Sequence, residues 1–258
     1  MLVFFDIDGT IWDYRCEIPK STIEGIRELR KNGHKAFLCS GRSKGAITDE
    51  KLLNIGFDGI VAGGGSYVEY NNEIIYENII DWTEISRLTS VLNENRIPYI
   101  FEARDCIYVS EEFFGEDEYI AFLKKSLAEN FKDYTEIKEN NLINKLSVDF
   151  KNFDRDFIME IFRDYETVLH RQGDYAEFMP EGCTKGSGIL KVCEFLNDKV
   201  ENTFAFGDSA NDLEMFKTVN TAIAMGNAVD IAKDAADYIT TDMHDDGIYN
   251  ALKHFGLI

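Results

Sequence analysis

The chain has 258 residues, 45% of them hydrophobic, and a formal net charge of −20. That length suffices for one large core or for a core carrying a smaller inserted domain. So negative a chain is not built to bind nucleic acid or an anionic membrane as its main partner, because both are gripped through clustered Lys and Arg. Any phosphate site must therefore carry its own positive charge, from a metal ion, a Lys or a helix N-terminus. Cys16, Cys39, Cys106, Cys183 and Cys193 contain no C-x-x-C pair and read as buried thiols of a reducing compartment. No stretch reads as a signal peptide or reaches the ~18 apolar residues of a membrane span, so a cytoplasmic location is expected.

The apolar run Leu2-Val3-Phe4-Phe5 leads directly into Asp6-Ile7-Asp8-Gly9-Thr10. It reads as a buried parallel strand with two carboxylates at its carboxyl end, where open α/β sheets bind ligands. Ser21-x-x-Glu24 has the form of a capping box for a helix presenting Ile23, Ile26 and Leu29 and ending at Gly33. A second strand, 35–39, ends in Ser40-Gly41-Arg42; a helical stretch to about Leu53 and a strand at 59–62 follow. Tyr67–Tyr70 and Glu73–Tyr76 read as a hairpin about Asn71-Asn72.

From about Asp81 to Gly182 the pattern changes to an α+β unit. Helices are expected near 85–92, 117–128 and 154–163, and strands near 99–101, 107–109, 146–150, 167–170 and 175–178. The alternation then resumes with helix 185–196, strand 203–206, helix 210–217, strand 222–225, helix 228–235, strand 238–240 and a closing helix. The first domain, 1–80 and 183–258, is thus discontinuous, with 81–182 inserted into it.

Further strand ends carry polar clusters. Gly207-Asp208-Ser209-Ala210-Asn211-Asp212 places Asp208 as Asp6 is placed, and two such carboxylates can hold Mg²⁺, which prefers hard oxygen ligands. Taken alone, Asp208 or Asp212 reads equally as a helix cap, and Ser40 as a turn residue whose hydroxyl could meet a phosphoryl oxygen. Lys185 opens a helix, where its ammonium and the helix dipole both favour an anion. His34, His170, His244 and His254 have no metal-ligand spacing.

Taken in order, Asp6-Ile7-Asp8-Gly9-Thr10, Ser40-Gly41-Arg42, Lys185 and Gly207–Asp212 resemble the four motifs of the haloacid dehalogenase superfamily of phosphohydrolases. Ala224-Met225-Gly226-Asn227-Ala228 and Asp245-Asp246-Gly247 are similar to its Cof-type subgroup, whose type IIB cap is inserted where 81–182 lies. The resemblance implies an α/β fold: a Rossmann-like core with a parallel sheet, plus an α+β cap that sets substrate specificity. Two departures stand out. The subgroup carries Asn-Gly-Ala or a close variant where this chain has Gly63-Gly64-Gly65, and Asn where it has His244.

The resemblance further implies that Asp6 attacks phosphorus while Asp8 protonates the leaving alcohol and then activates water. Mg²⁺ would be held by Asp6, the Asp8 carbonyl and Asp208, with Asp212 beside or behind them. Ser40, Gly41 and Lys185 would bind the phosphoryl group, with Asn211 supporting Lys185 or the phosphate. Arg104, Tyr108, His170 and Arg171 are candidate cap contacts. The implied activity is Mg²⁺-dependent hydrolysis of a small phosphorylated metabolite, a sugar phosphate or a cofactor phosphate such as pyridoxal phosphate or FMN. A phosphomutase of the same superfamily, or a non-catalytic metabolite-binding or regulatory protein, are the alternatives. No oligomeric state follows.

Overall fold

The computed structural model describes residues 1–170 and 173–258. The chain divides into two compact units, one comprising 1–41, 49–76 and 184–258, the other 42–48 and 77–183. Along the chain come β1 (Leu2–Phe5), α1 (Lys20–Lys31), β2 (Lys35–Cys39), α2 (Glu50–Leu53), β3 (Gly59–Ala62), β4 (Tyr67–Tyr70) and β5 (Glu73–Glu77). The second unit holds α3 (Trp82–Glu94), β6 (Tyr99–Ala103), β7 (Ile107–Val109), α4 (Glu111–Phe114), α5 (Glu118–Leu127), β8 (Phe131–Asp133), β9 (Ile143–Asp149), α6 (Arg155–Ile161), β10 (Tyr165–His170) and β11 (Tyr175–Pro180). The first unit is completed by α7 (Lys185–Leu196), β12 (Thr203–Gly207), α8 (Leu213–Thr218), β13 (Thr221–Ala224), α9 (Asp230–Ala235), β14 (Tyr238–Ile239) and α10 (Gly247–His254).

The sheet of the first unit runs β14-β13-β12-β1-β2-β3-β4-β5. From β14 to β3 neighbouring strands are parallel, and β4 turns back antiparallel on β3. Every residue of β1 is buried, as a strand covered on both faces requires. Phe4 stacks on Phe37 at 5.0 Å between ring centroids and Phe5 on Phe206 at 4.9 Å, and each such buried ring contributes roughly 2–3 kcal/mol. Because β2, β1 and β12 are adjacent and parallel, Ser40, Asp6 and Asp208 emerge on the same edge of the sheet.

Two local expectations are corrected. Helix α1 starts at Lys20 after Pro19 and has no side-chain cap; Ser21 then lies inside the first turn, its buried hydroxyl unpaired. The helical stretch before Leu53 is broken into a 3₁₀ turn at Lys44–Ala46 and the single turn of α2, capped by Asp49. Both are too short to stand without tertiary support.

The second unit has a sheet ordered β10-β11-β9-β6-β7-β8, antiparallel except where β8 joins β7. Side chains alternate between its faces. Tyr99, Phe101, Tyr108, Leu146, Val148 and Phe178 pack with Leu88 and Leu92 of α3 and Ile158 of α6. On the opposite face Ile100, Ile107 and Val109 meet Ile120, Leu123 and Leu127 of α5. Segment 42–48 belongs here: a Cβ on Gly45 would collide with the backbone of Ala103 and Cys106, and Asn130 Nδ2 donates to the Gly45 carbonyl at 3.4 Å. Strand β8 has only three residues and no alternating pattern of its own, which is why it is not legible in the sequence. No helix among the described residues is long and apolar enough to cross a membrane.

Candidate active site

Strand β1 delivers Asp6 in a buried position, while Asp8, two residues on, is exposed. The turn from Ile7 to Trp12, which carries Asp8, is tight, since Ile11 N and Trp12 N both donate to the Ile7 carbonyl. Trp12 Nε1 donates to Asp8 Oδ1 at 2.9 Å and orients that carboxyl. Gly9 lies at φ +84°, and a Cβ there would run into the Asp208 carboxylate, so only glycine lets the two loops approach. Next to it Thr10 Oγ1 donates to Asp208 Oδ1 at 3.2 Å.

Lys185 is the first residue of α7, set by a reciprocal cap in which Ser187 N donates to Thr184 Oγ1 and Thr184 N to Ser187 Oγ. Its buried Nζ reaches Asp6 Oδ1 and Asp212 Oδ1, each at 2.6 Å, and Asn211 Oδ1 at 3.2 Å. Burial alone would lower the ammonium's pKa, but the Asp212 and Asp6 carboxylates override it and hold the lysine charged. Asp212 is fully used inside the protein: its Oδ2 accepts the backbone N–H of Asp208 at 2.9 Å and of Ser209 at 3.0 Å.

One carboxylate oxygen each of Asp6, Asp208 and Asp212 lies within 4.8 Å of the others. Burial, partly offset by Lys185 and reinforced by Asp212, Asp208 and Asp8, pushes the Asp6 pKa well above the ordinary carboxylate range. Burial and the neighbouring Asp212 push Asp208 up to about 7. Carboxylates crowded until they resist ionisation form a site short of positive charge, and an all-oxygen donor set suits a hard divalent cation. The residues therefore fit Mg²⁺.

Ser40 follows β2 in a buried position, with its carbonyl accepting from Gly64 N at 3.1 Å, and Gly41 comes next. Gly63, Gly64 and Gly65, which replace an expected amide side chain, all have positive φ. At Gly65 a Cβ would overlap the Thr184 carbonyl. The glycine run thus brings this loop against the cap of α7 through backbone alone. His244 is exposed, 3.6 Å from Asp13.

Among the cap candidates, Arg104 pairs with Glu77 at 3.0 Å, and Tyr108 is a buried core residue of its unit. His170 Nε2 stands 3.7 Å from Glu177, and Arg171 lies outside the described residues. A group outside the sequence motifs is more conspicuous. Lys145, 2% exposed, pairs with Glu102 at 3.0 Å and Glu177 at 2.9 Å, and Ser147 donates to Glu102 at 2.7 Å. With Tyr175 they line a cavity of about 40 Å³ within the second unit. Their signal in the sequence is polar residues two apart on one face of a strand, Lys145 and Ser147 in β9, which pair with Glu102 of β6 and Glu177 of β11.

Residues 3–252 match the family model described as haloacid dehalogenase-like hydrolase. The phosphatase candidate YkrA of Bacillus subtilis is 34% identical over 258 residues, covering 100% of this chain and 98% of its own. The B. subtilis 5-amino-6-(5-phospho-D-ribitylamino)uracil phosphatase YcsE is 25% identical, over 99% of this chain and 96% of its own. The solved structure of the sugar phosphatase BT4131, of haloacid dehalogenase subclass IIB, superposes with a TM-score of 0.82 at 28% identity, covering 100% of this chain and 99% of that one.

Proposed function

Because the chain belongs to the haloacid dehalogenase-like hydrolase family and is one of its phosphatases, we propose that it hydrolyses phosphate monoesters of small polyhydroxylated metabolites, with Asp6 as nucleophile and Asp8 as acid and base. The observation that carries this reading is the Lys185 ammonium shared between Asp6 and Asp212 at the carboxyl ends of β1 and β12. It orients a buried carboxylate and partly offsets the burial that resists its ionisation, where an incoming phosphate needs both an attacking oxygen and positive charge.

In the first half-reaction an Asp6 oxygen forms a bond to phosphorus as the bond to the leaving oxygen breaks, and the Asp8 carboxyl gives that oxygen its proton. The product is an alcohol and an aspartyl-phosphate. In the second half Asp8, now a carboxylate, takes a proton from water, whose oxygen attacks phosphorus and restores Asp6 with release of orthophosphate. The exposure of Asp8 and its bond from Trp12 suit a group that must meet both leaving alcohol and water. Lys185 and Ser40 bind the phosphoryl oxygens, Gly41 adds its backbone to that cradle, and Asn211 steadies the lysine. Held by Asp6, the Asp8 carbonyl and Asp208, with Asp212 behind them, Mg²⁺ would supply positive charge to the phosphate oxygens and lessen its repulsion by the carboxylates.

A sugar-like leaving group is supported by the sugar phosphatase BT4131 and by YcsE, which is named for a phosphorylated ribityl compound.

The test is phosphate release from an aryl phosphate and then from a panel of sugar phosphates and cofactor phosphates, by wild type and Asp6→Asn, with Mg²⁺ and with chelator. Release that disappears in the variant and on chelation is expected. A wild type that interconverts sugar phosphate isomers without releasing phosphate would replace hydrolase by mutase.

A further inference from the structure

We propose that Asn227 is a positioning residue for the catalytic loop Asp6–Thr10, acting through the Gly9 carbonyl. The turn after β13 touches three loops at once. Asn227 Nδ2 donates to the Gly9 carbonyl at 2.7 Å, while Asn227 Oδ1 accepts from Met243 N at 3.0 Å. Two residues on, Val229 N donates to the carbonyl of Asp208 at 2.8 Å, and Gly226 N donates to the Thr241 carbonyl at 3.0 Å. The loop after β1, the loop after β12 and the segment before α10 are therefore joined through one short turn.

The consequence for the site follows from what Gly9 touches. Its peptide lies against the Asp208 carboxylate too closely to admit a Cβ, and the next residue, Thr10, donates to that same carboxylate. Fixing the Gly9 carbonyl fixes the rotation of the Gly9–Thr10 peptide, and with it the Thr10 hydroxyl. On the other side it limits the swing of Asp8, the residue before. A glycine at positive φ has the widest conformational choice of any residue, so an outside bond to its carbonyl matters more here than it would beside a stiffer residue. The bond is solvent-exposed, so its weight in overall stability is modest. Its effect is on geometry, where a misplacement of about 1 Å can cost about 100-fold in rate.

The inference rests on the phosphatase reading for its kinetic consequence, and its test separates the two. Asn227→Asp keeps the shape and the acceptor for Met243 N but removes the donor to Gly9; Asn227→Ala removes both. Asn250→Ala is the control, because Asn250 Nδ2 bonds Thr241 Oγ1 and the Asp245 carbonyl in the same segment without touching Gly9. Expected for Asn227→Asp are a kcat lower by about 10-fold or more, a KM within about threefold and a Tm close to wild type. Hydrogen exchange of the peptide covering residues 6–12 should quicken in both Asn227 variants and not in Asn250→Ala. Should exchange over 6–12 stay at the wild-type rate, or quicken equally in the control, the inference is overturned, whatever the activity. If exchange quickens while kcat stays within twofold of an active wild type, Asn227 holds the loop but does not position the chemistry, and the proposal fails on that count. A wild type inactive on every phosphate ester overturns the phosphatase reading instead, and exchange alone then decides whether Asn227 holds the loop.

Discussion

Lys185 Nζ lies 2.6 Å from both Asp6 Oδ1 and Asp212 Oδ1, so a single ammonium links the loop after β1 to the loop after β12. Replacing it with Met leaves two buried carboxylates without their cation. Breaking such a pair costs about 3–5 kcal/mol, and removing the charge that faces the transferring phosphate should lower kcat by about 100-fold or more. Lys185→Arg is expected to restore little, because a planar fork cannot replace a compact ammonium between three oxygen partners. Urea unfolding and steady-state kinetics on both variants check this; a Lys185→Met protein that loses only substrate affinity would assign the lysine to ground-state binding.

Mg²⁺ should act on stability as well as on rate. Asp6, Asp208 and Asp212 repel one another when no cation is present, so Mg²⁺ at 100 times its Kd is expected to stabilise the fold by about 2.7 kcal/mol, or roughly 5–10 °C in Tm. Asp208→Asn relieves part of the repulsion. Without Mg²⁺ it should melt no lower than wild type, and added Mg²⁺ should no longer raise its Tm. Melting curves in chelator and in excess Mg²⁺ decide the matter, and an Asp208→Asn protein that still gains the full shift would remove Asp208 from the cation site.

Most of the site lay open in the sequence because its parts sit at the ends of short apolar strands, where position along the chain already implies position in space. Asp6 and Asp208 are instances, and the parallel order β12-β1-β2 brings them together as strand-end logic requires. What stayed hidden depends on contacts between distant segments. That Asp212 spends Oδ2 on the backbone of Asp208 and Ser209 cannot be read from Asn211-Asp212 alone. The cap's Lys145 cluster was missed for a related reason: it needs three strands in register, and no strand taken singly shows which of its polar residues meet those of its neighbours. Ser21 was misread because a capping box depends on the first residue of the helix, and Pro19 moved that start to Lys20.

Within the cap, acid should expose the worth of Glu177. Burial taken alone would raise its pKa, but Lys145 and His170 override that and bring it to about 2, from an ordinary value of 4.5. A depressed carboxylate stabilises the fold fully above its unfolded pKa and ceases to do so as pH falls through its folded pKa. The contribution, on the order of 3 kcal/mol, is therefore present at pH 7 and lost between about pH 4.5 and 2. Glu177→Gln should be less stable than wild type at neutral pH, with the difference shrinking across that window. A gap between the two unfolding curves that does not change with pH would mean that the Glu177 charge contributes nothing to stability.

The glycine run before β4 makes a sharper demand. Gly65 has φ +96° and its missing Cβ would overlap the Thr184 carbonyl, one residue before Lys185. Gly65→Ala carries a left-handed backbone penalty of about 1–2 kcal/mol and must also push Thr184 away, disturbing the cap that sets the start of α7. Gly256→Ala isolates the first cost, since Gly256 has φ +67° with nothing within 4 Å of its absent Cβ. Gly65→Ala is expected to lose clearly more stability than Gly256→Ala and to lose turnover as Lys185 shifts, whereas Gly256→Ala keeps wild-type kcat. Equal stability losses with undiminished turnover in Gly65→Ala would mean that Thr184 yields without moving Lys185, and that the glycine serves the loop rather than the site.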